Sequence, residues 1–173
     1  MRVYQYKRKM CRIFCLLLFA LVTTLSSGQP PEIKKIIPPF KIVLTDGRPF
    51  DYKELKKGSP VMLIYFAPEC DHCREYTKEL ISVMDHFKNT QIIMISYLPL
   101  GKLRQFSKEF RLEQFKNIKV GTEGNSFLVP GYYKIGTFPF TALFDKEGKL
   151  SAIFRQPPNM GELYNYLRKC FRN

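Results

Sequence analysis

Apolar positions along this chain follow two rhythms. Val61 to Ala67 is an unbroken apolar run held between Pro60 and Pro68, and Ile92 to Tyr97 is a second run. Continuous runs of this length predict strands buried on both faces. Between them Tyr76, Leu80, Val83 or Met84, and Phe87 recur every three or four positions, which predicts a helix with one apolar stripe. Leu100, Leu103, Phe106 and Phe110 repeat the helical rhythm after the second run. Strand, helix, strand, helix is the order of a parallel crossover and predicts an α/β sheet.

The flanks read as hairpins and a closing helix. Phe40 to Leu44 alternates, Asp46-Gly47 marks a turn, and Arg48-Pro49-Phe50 returns as a short edge strand. Asp51 to Lys57 has room for one or two helical turns before Gly58 and Pro60. Residues 111–136 carry a weaker pattern, with a short strand over Ile118–Val120 and a helical turn within Ser126–Tyr133. Phe140–Phe144 and Leu150–Phe154 flank Lys146-Glu147-Gly148 and predict a second hairpin. Met160 to Phe171 predicts an amphipathic helix with Met160, Leu163, Leu167 and Cys170 on one face. Glu162 near its start and Arg168, Lys169 and Arg172 near its end suit the helix dipole.

The first 28 residues differ in kind. Arg2, Lys7, Arg8, Lys9 and Arg12 form a basic head, Ile13 to Leu25 an apolar run, and Ser26-Ser27-Gly28 a small-residue site. That is the layout of a secretory signal peptide. The run is shorter than the roughly 20 apolar residues of a spanning helix, so cleavage after Gly28 is expected. An uncleaved membrane anchor is the alternative. Gln29 to Pro39 holds four prolines and reads as an extended linker, which leaves residues 40–173 as one domain. Export to the periplasm or cell envelope follows from the leader.

Charge changes the picture little. The chain carries +13, and five of its 28 basic residues lie in the leader, leaving 23 against 15 acids, or +8. No basic stripe interleaves with aromatics, so a solvated basic surface is expected and nucleic acid is not. Weak attraction to anionic headgroups or acidic partners stays open. Phe and Tyr together supply 25 side chains, enough for a core that needs no disulfide staples.

Candidate chemistry sits in Cys70-Asp71-His72-Cys73, at the end of a buried strand and the start of a helix. Cysteines at i and i+3 there are close enough to bridge. Unpaired N–H groups at a helix start stabilise a thiolate and make it a nucleophile. Cys70, the more exposed of the two by its place, is the expected attacking thiol, and Cys73 the resolving thiol that releases a mixed disulfide. Protonated His72 would stabilise a Cys70 thiolate further, whereas Asp71 and Glu69 oppose it. A permanent structural disulfide is the bland alternative. Zinc is a poorer one: His86 follows Cys73 with twelve residues between, but His72 is the chain's only other histidine, short of a closed ligand set. Cys170, on the apolar face of the last helix, is expected as a buried inert thiol, with a dimer contact as the minority reading.

The strand–CxxC–helix unit, the Pro139 that opens the strand of the last hairpin, and the Asp145-Lys146-Glu147-Gly148-Lys149 turn resemble the thioredoxin superfamily. The start, Pro39 to Gly47, is similar to the N-terminal hairpin of its exported TlpA/ResA-like branch. The resemblance covers residues 38–172 and implies a thioredoxin-like fold: a central mixed sheet flanked by helices, an N-terminal hairpin extension, and the CxxC at the edge of the sheet. It implies disulfide exchange with protein substrates and a redox partner protein, without a bound cofactor; no metal is expected on the ligand count, and a monomer is expected. It implies that Pro139 is cis and faces Cys70, with the Phe138 backbone pairing with substrate. The branch favours a reductase; His72 favours an oxidase or isomerase. Departures are plain. Glu69 replaces an aromatic before the first cysteine. Ile64 and Tyr76 stand where relatives carry an acid that handles the proton of the second cysteine. A thiol peroxidase shares the fold, but Ala67 occupies the place of its activating Thr. A binding module with a structural disulfide is the non-enzymatic alternative.

Overall fold

The computed structural model describes residues 35–172. The leader, Cys11 and Cys15, and the first part of the predicted linker lie outside the described residues. Seven strands form a single mixed sheet: β1 (Lys41–Leu44), β2 (Pro49–Asp51), β3 (Val61–Tyr65), β4 (Gln91–Ser96), β5 (Ile118–Thr122), β6 (Phe140–Phe144) and β7 (Leu150–Phe154). Their order is β2-β1-β5-β4-β3-β6-β7. β3, β4 and β5 run parallel, and the two hairpins join antiparallel, one on each side. Among the described residues four α-helices accompany them: α1 (Asp71–Ser82), α2 (Leu100–Glu109), α3 (Leu128–Tyr133) and α4 (Met160–Arg172). The fold is thioredoxin-like, as the resemblance implies.

The period of two along the strands divides the core. Met62 and Ile64 point into one cluster with Tyr76, Leu80, Leu103, Phe106, Leu163 and Leu167, under α1, α2 and α4. Val61, Leu63 and Tyr65 point into the other, with Phe40, Ile42, Val129 and Tyr133, under the N-terminal hairpin and α3. Each fully buried Leu, Ile or Phe contributes roughly 1.5–3 kcal/mol, so both faces hold the central strands firmly.

Differences from the sequence reading are local. The stripe from Tyr76 to Phe87 is not one helix. It breaks at Val83 (φ −119°, ψ 21°) into α1 and a 3-10 turn over Met84–Phe87. The break turns both Met84 and Phe87 inward. The predicted run to Ala67 leaves β3 after Tyr65, although the Phe66 N–H still bonds the Ile95 carbonyl at 3.0 Å. α3 accommodates Pro130 because it falls in the first turn, whose N–H groups have no helical partner. Residues 35–39, the end of the predicted linker, run along the domain: Ile36 bridges Lys149, and the Leu150 N–H bonds the Lys35 carbonyl at 2.8 Å. Cys170 is 1% exposed in the core face of α4. Burial pushes its thiol up, with a hydrogen bond from Ser151 opposing.

Gly121 is where the hairpin meets the parallel strands. A Cβ there would lie 2.8 Å from the Val43 carbonyl oxygen and 2.9 Å from Ile42 Cδ1. Gly121→Ala is therefore expected to push β1 off β5 and destabilise the protein by about 1–3 kcal/mol, the usual range for overpacking. Urea unfolding of the two proteins checks this, and equal midpoints would show that the contact yields freely.

Candidate functional site

Pro60 and Pro68 bracket β3, and the chain leaves its carboxyl end through Ala67-Pro68-Glu69. The Cys70 N–H bonds the Ala67 carbonyl at 3.0 Å, closing that turn. Cys70 is the N-cap of α1, with extended backbone (φ −82°, ψ 120°), and its carbonyl accepts the helical bond from the Arg74 N–H at 3.0 Å. The CxxC thus lies at the sheet edge formed by the strands' carboxyl ends, while β3 itself is interior.

The two cysteines are unlike. Cys70 is partly exposed, and its thiol lies 3.8 Å from the Phe138 carbonyl, to which it donates. Cys73 is 1% exposed. Burial pushes its thiol up to about 12; a backbone contact with Ala67 opposes this, and the hydrogen bond with the neighbouring Cys70 thiol adds to it. At neutral pH Cys73 therefore holds its proton. The Phe138–Pro139 peptide is cis, and the contacts of Cys70 with the Phe138 carbonyl and with Cys73 gather this peptide and both cysteines at one place. His72 and Asp71 sit exposed on the first turn of α1.

Around this centre, ion pairs settle part of the local charge. Glu69 is paired with Lys102 of α2. Arg74 pairs with Glu109, donates to the Pro68 carbonyl at 3.3 Å, and lies 5.2 Å from the Phe110 ring. Glu69 therefore opposes a nearby thiolate less than its bare charge suggests. Tyr76, at the position where relatives carry an acid, is buried and its hydroxyl accepts from Thr141 Oγ1 at 3.2 Å. Burial holds the Tyr76 hydroxyl well above the ordinary tyrosine range, so it stays protonated.

Sequence reasoning missed the other half of the surroundings. Phe138 packs against Tyr65 and Tyr97, with ring centroids 5.8 and 6.1 Å apart, and Tyr97 packs against half-exposed Phe127 at 5.8 Å. Phe127 has φ 43° and ψ 31°, the left-handed region. Tyr65 donates to Glu123 at 2.7 Å, and Glu123, 8% exposed, also accepts from Ser126 Oγ and the Val129 N–H, each at 3.2 Å. Burial and the Glu123 carboxylate both push the Tyr65 hydroxyl upward. In sequence Glu123 is an isolated acid after a weak strand, and only the pairing of β5 with β4 carries it beside Tyr65. Among the described residues, no cluster of three or more His, Cys, Asp or Glu could hold a metal ion. No helix among them is long and apolar enough to cross a membrane.

Comparison with known proteins agrees with this architecture. Solved structures share the fold at low identity. A thioredoxin candidate from Neisseria meningitidis is 21% identical, with 81% of this chain and 92% of that chain covered and a TM-score of 0.67. A secreted disulfide oxidoreductase from Mycobacterium tuberculosis is 18% identical, with 76% and 96% covered and a TM-score of 0.63. A peroxiredoxin-like protein from Aquifex aeolicus is 17% identical, with 82% and 90% covered and a TM-score of 0.66. No curated protein matches the sequence. The AhpC/TSA family model matches residues 33–157, most of the described chain and all of the cysteine site. The chain belongs to the AhpC/TSA family, a redoxin family of the thioredoxin superfamily.

Proposed function

We propose that the protein is an exported thiol–disulfide oxidoreductase of the TlpA/ResA-like kind, which reduces disulfides in protein substrates. The observation that carries this reading is the asymmetry of the pair: an accessible Cys70 at a helix start, against the Phe138 carbonyl, with Cys73 buried beside it. Cys70 as thiolate attacks one sulfur of the substrate disulfide, and the other substrate sulfur leaves as thiolate. Cys73 then gives up its proton and attacks Cys70 Sγ. The substrate departs reduced by two electrons, and Cys70–Cys73 becomes the disulfide. A partner protein resets the pair by the reverse exchange. Phe138 offers its backbone to an extended substrate chain beside Cys70. The leader pattern supports a site of action in the periplasm or cell envelope. Ala67 stands three residues before Cys70, where a peroxidase needs a Thr hydroxyl beside the thiolate; peroxide turnover is accordingly not the proposed activity.

Equilibration in graded glutathione buffers, with thiols counted by alkylation and mass, reads the direction. A midpoint of about −330 to −230 mV is expected for a reductase; a midpoint near about −120 to −180 mV would make the protein an oxidant or isomerase. A pair that never reduces, or never forms a disulfide, would sink the exchange reading in favour of a binding module.

Thiol reactivity tests the assignment of roles. Because the Cys73 thiol is pushed up to about 12, it stays protonated in the folded protein across the neutral and mildly alkaline range. Alkylation of the reduced native protein from about pH 6 to about pH 9 should modify Cys70 alone, with Cys73 labelled only after unfolding. Cys73→Ser should accumulate a mixed disulfide on Cys70, and Cys70→Ser should abolish exchange. Faster labelling of Cys73 than of Cys70 in the native protein would reverse the roles.

A further inference from the structure

The cysteine pair stands at the carboxyl ends of the parallel strands. Their amino ends border a cavity of about 530 Å³, where Ser59-Pro60 lead into β3, Thr90 into β4, and Lys116-Asn117 into β5. Lys56, Lys88, Lys116 and Lys119 border this cavity and no acid does. Ion pairs among the described residues join Arg48 to Glu54, Arg74 to Glu109 and Lys102 to Glu69, and none involves these lysines. Lys119 instead lies over the Phe50 ring, 5.3 Å from its centroid. Same-sign charges gathered at a concave, low-dielectric wall focus a positive potential there.

Thr90 adds an independent sign of a ligand. It borders the cavity and is 1% exposed, and its hydroxyl is the one buried side-chain N or O atom among the described residues without a hydrogen-bond partner. A buried hydroxyl left unpaired is costly, and such atoms mark places where a water, ion or ligand completes the structure. The surrounding frame is otherwise tied down. Gln91 bonds the Lys56 N–H at 2.7 Å and the Lys56 carbonyl at 2.9 Å, and Asn117 Nδ2 donates to the Phe87 and Thr90 carbonyls, each at 3.0 Å. A fixed frame with a spare hydroxyl and several unpaired ammonium groups suits a compact, multiply charged oxyanion.

We propose that this cavity binds a phosphate group, with Lys56, Lys88 and Lys116 neutralising its charge and a rotation of the Thr90 side chain bringing its hydroxyl out to donate to one oxygen. Lysine serves phosphate as a point charge, and several of them converging favour a dianion over a carboxylate. The volume is that of a small-ligand site and leaves room for what carries the phosphate. A soluble phosphate ester and a lipid headgroup present the same chemistry to it. The site is at the far end of the sheet from Cys70, so it is independent of the exchange reaction.

Titration of the 15N-labelled protein with inorganic phosphate at fixed ionic strength, against chloride, tests the proposal by NMR. Saturating shifts are expected at Lys88, Thr90, Lys116 and Asn117 and not at Cys70 or Cys73. The double variant Lys88→Ala/Lys116→Ala should bind about tenfold more weakly. Thr90→Val should lose about fivefold while remaining folded, because it deletes a hydroxyl that has no partner in the free protein. Both variants should keep their thiol reactivity. Sedimentation with phosphatidylglycerol vesicles against phosphatidylcholine separates the sources. Retention on the anionic vesicles that the lysine variant loses assigns a headgroup, and saturation by phosphate without retention assigns a soluble ester. Shifts that rise linearly without saturating, or equal affinity in the parent and both variants, would overturn the proposal.

Discussion

The Tyr65–Glu123 hydrogen bond fixes the register on which the reactive end depends. β3 is apolar on both faces, and a strand of that kind loses little hydrophobic burial if it slips by one residue. Its pattern alone therefore specifies register weakly, in contrast to a strand with one polar face. Tyr65 is the polar exception in β3. In the observed register it sits opposite Ile95 of β4 and Phe140 of β6, and its hydroxyl reaches Glu123 at 2.7 Å. A slip of one residue would turn that hydroxyl into the other core and leave a buried carboxylate without it. Losing a hydrogen bond to a buried charged group costs roughly 1.5–3 kcal/mol, enough to decide between registers that burial leaves nearly equal. Five residues beyond Tyr65, Cys70 inherits the choice and meets the Phe138 carbonyl.

The asymmetry of the cysteines follows from the same placement. Cys70 caps α1, where the chain is still turning out of the sheet, and so remains partly exposed. Cys73 is one helical turn deeper, on the stripe with Tyr76, Thr77 and Leu80 that packs onto the sheet. One exposed and one buried thiol in contact is what sequential chemistry needs: the first sulfur meets a large partner, and the second waits where no partner reaches. The aromatic set of Tyr65, Phe138, Tyr97 and Phe127 braces the Phe138 peptide from the other core, so both halves of the protein converge on one sulfur.

Legibility in the sequence tracked how local each signal was. The strands, the helix stripes and both hairpins showed because their periods lie within ten or so residues. The CxxC showed because strand end and helix start are adjacent in the chain. The break at Val83 did not show, since Met84 and Phe87 keep helical spacing on either side of it. Glu123, the Glu69–Lys102 pair and the Arg74–Glu109 pair did not show, because each joins positions separated by more than thirty residues. The lysine-lined cavity was equally hidden: its charges come from separate segments that only the parallel strand order gathers at one end. The net positive charge was visible, but not that part of it converges.

The Tyr76–Thr141 pair constrains how the proposed reaction can end. A buried acid beside the second cysteine would take its proton and ready it for attack. Here Tyr76 stands at that sequence position, its hydroxyl bonds Thr141 instead, and burial keeps it protonated. Cys73, itself held protonated by burial, contacts the Cys70 sulfur. When Cys70 opens a substrate disulfide, the displaced substrate sulfur is born as a thiolate next to that contact. It is the natural acceptor for the Cys73 proton, provided it stays close. A disulfide within one substrate chain keeps its leaving sulfur tethered to the mixed disulfide, whereas a disulfide between separate molecules lets it diffuse away. On the proposed reaction, then, a Cys73 on which no acid among the described residues acts favours intramolecular disulfides, through the substrate's own connectivity.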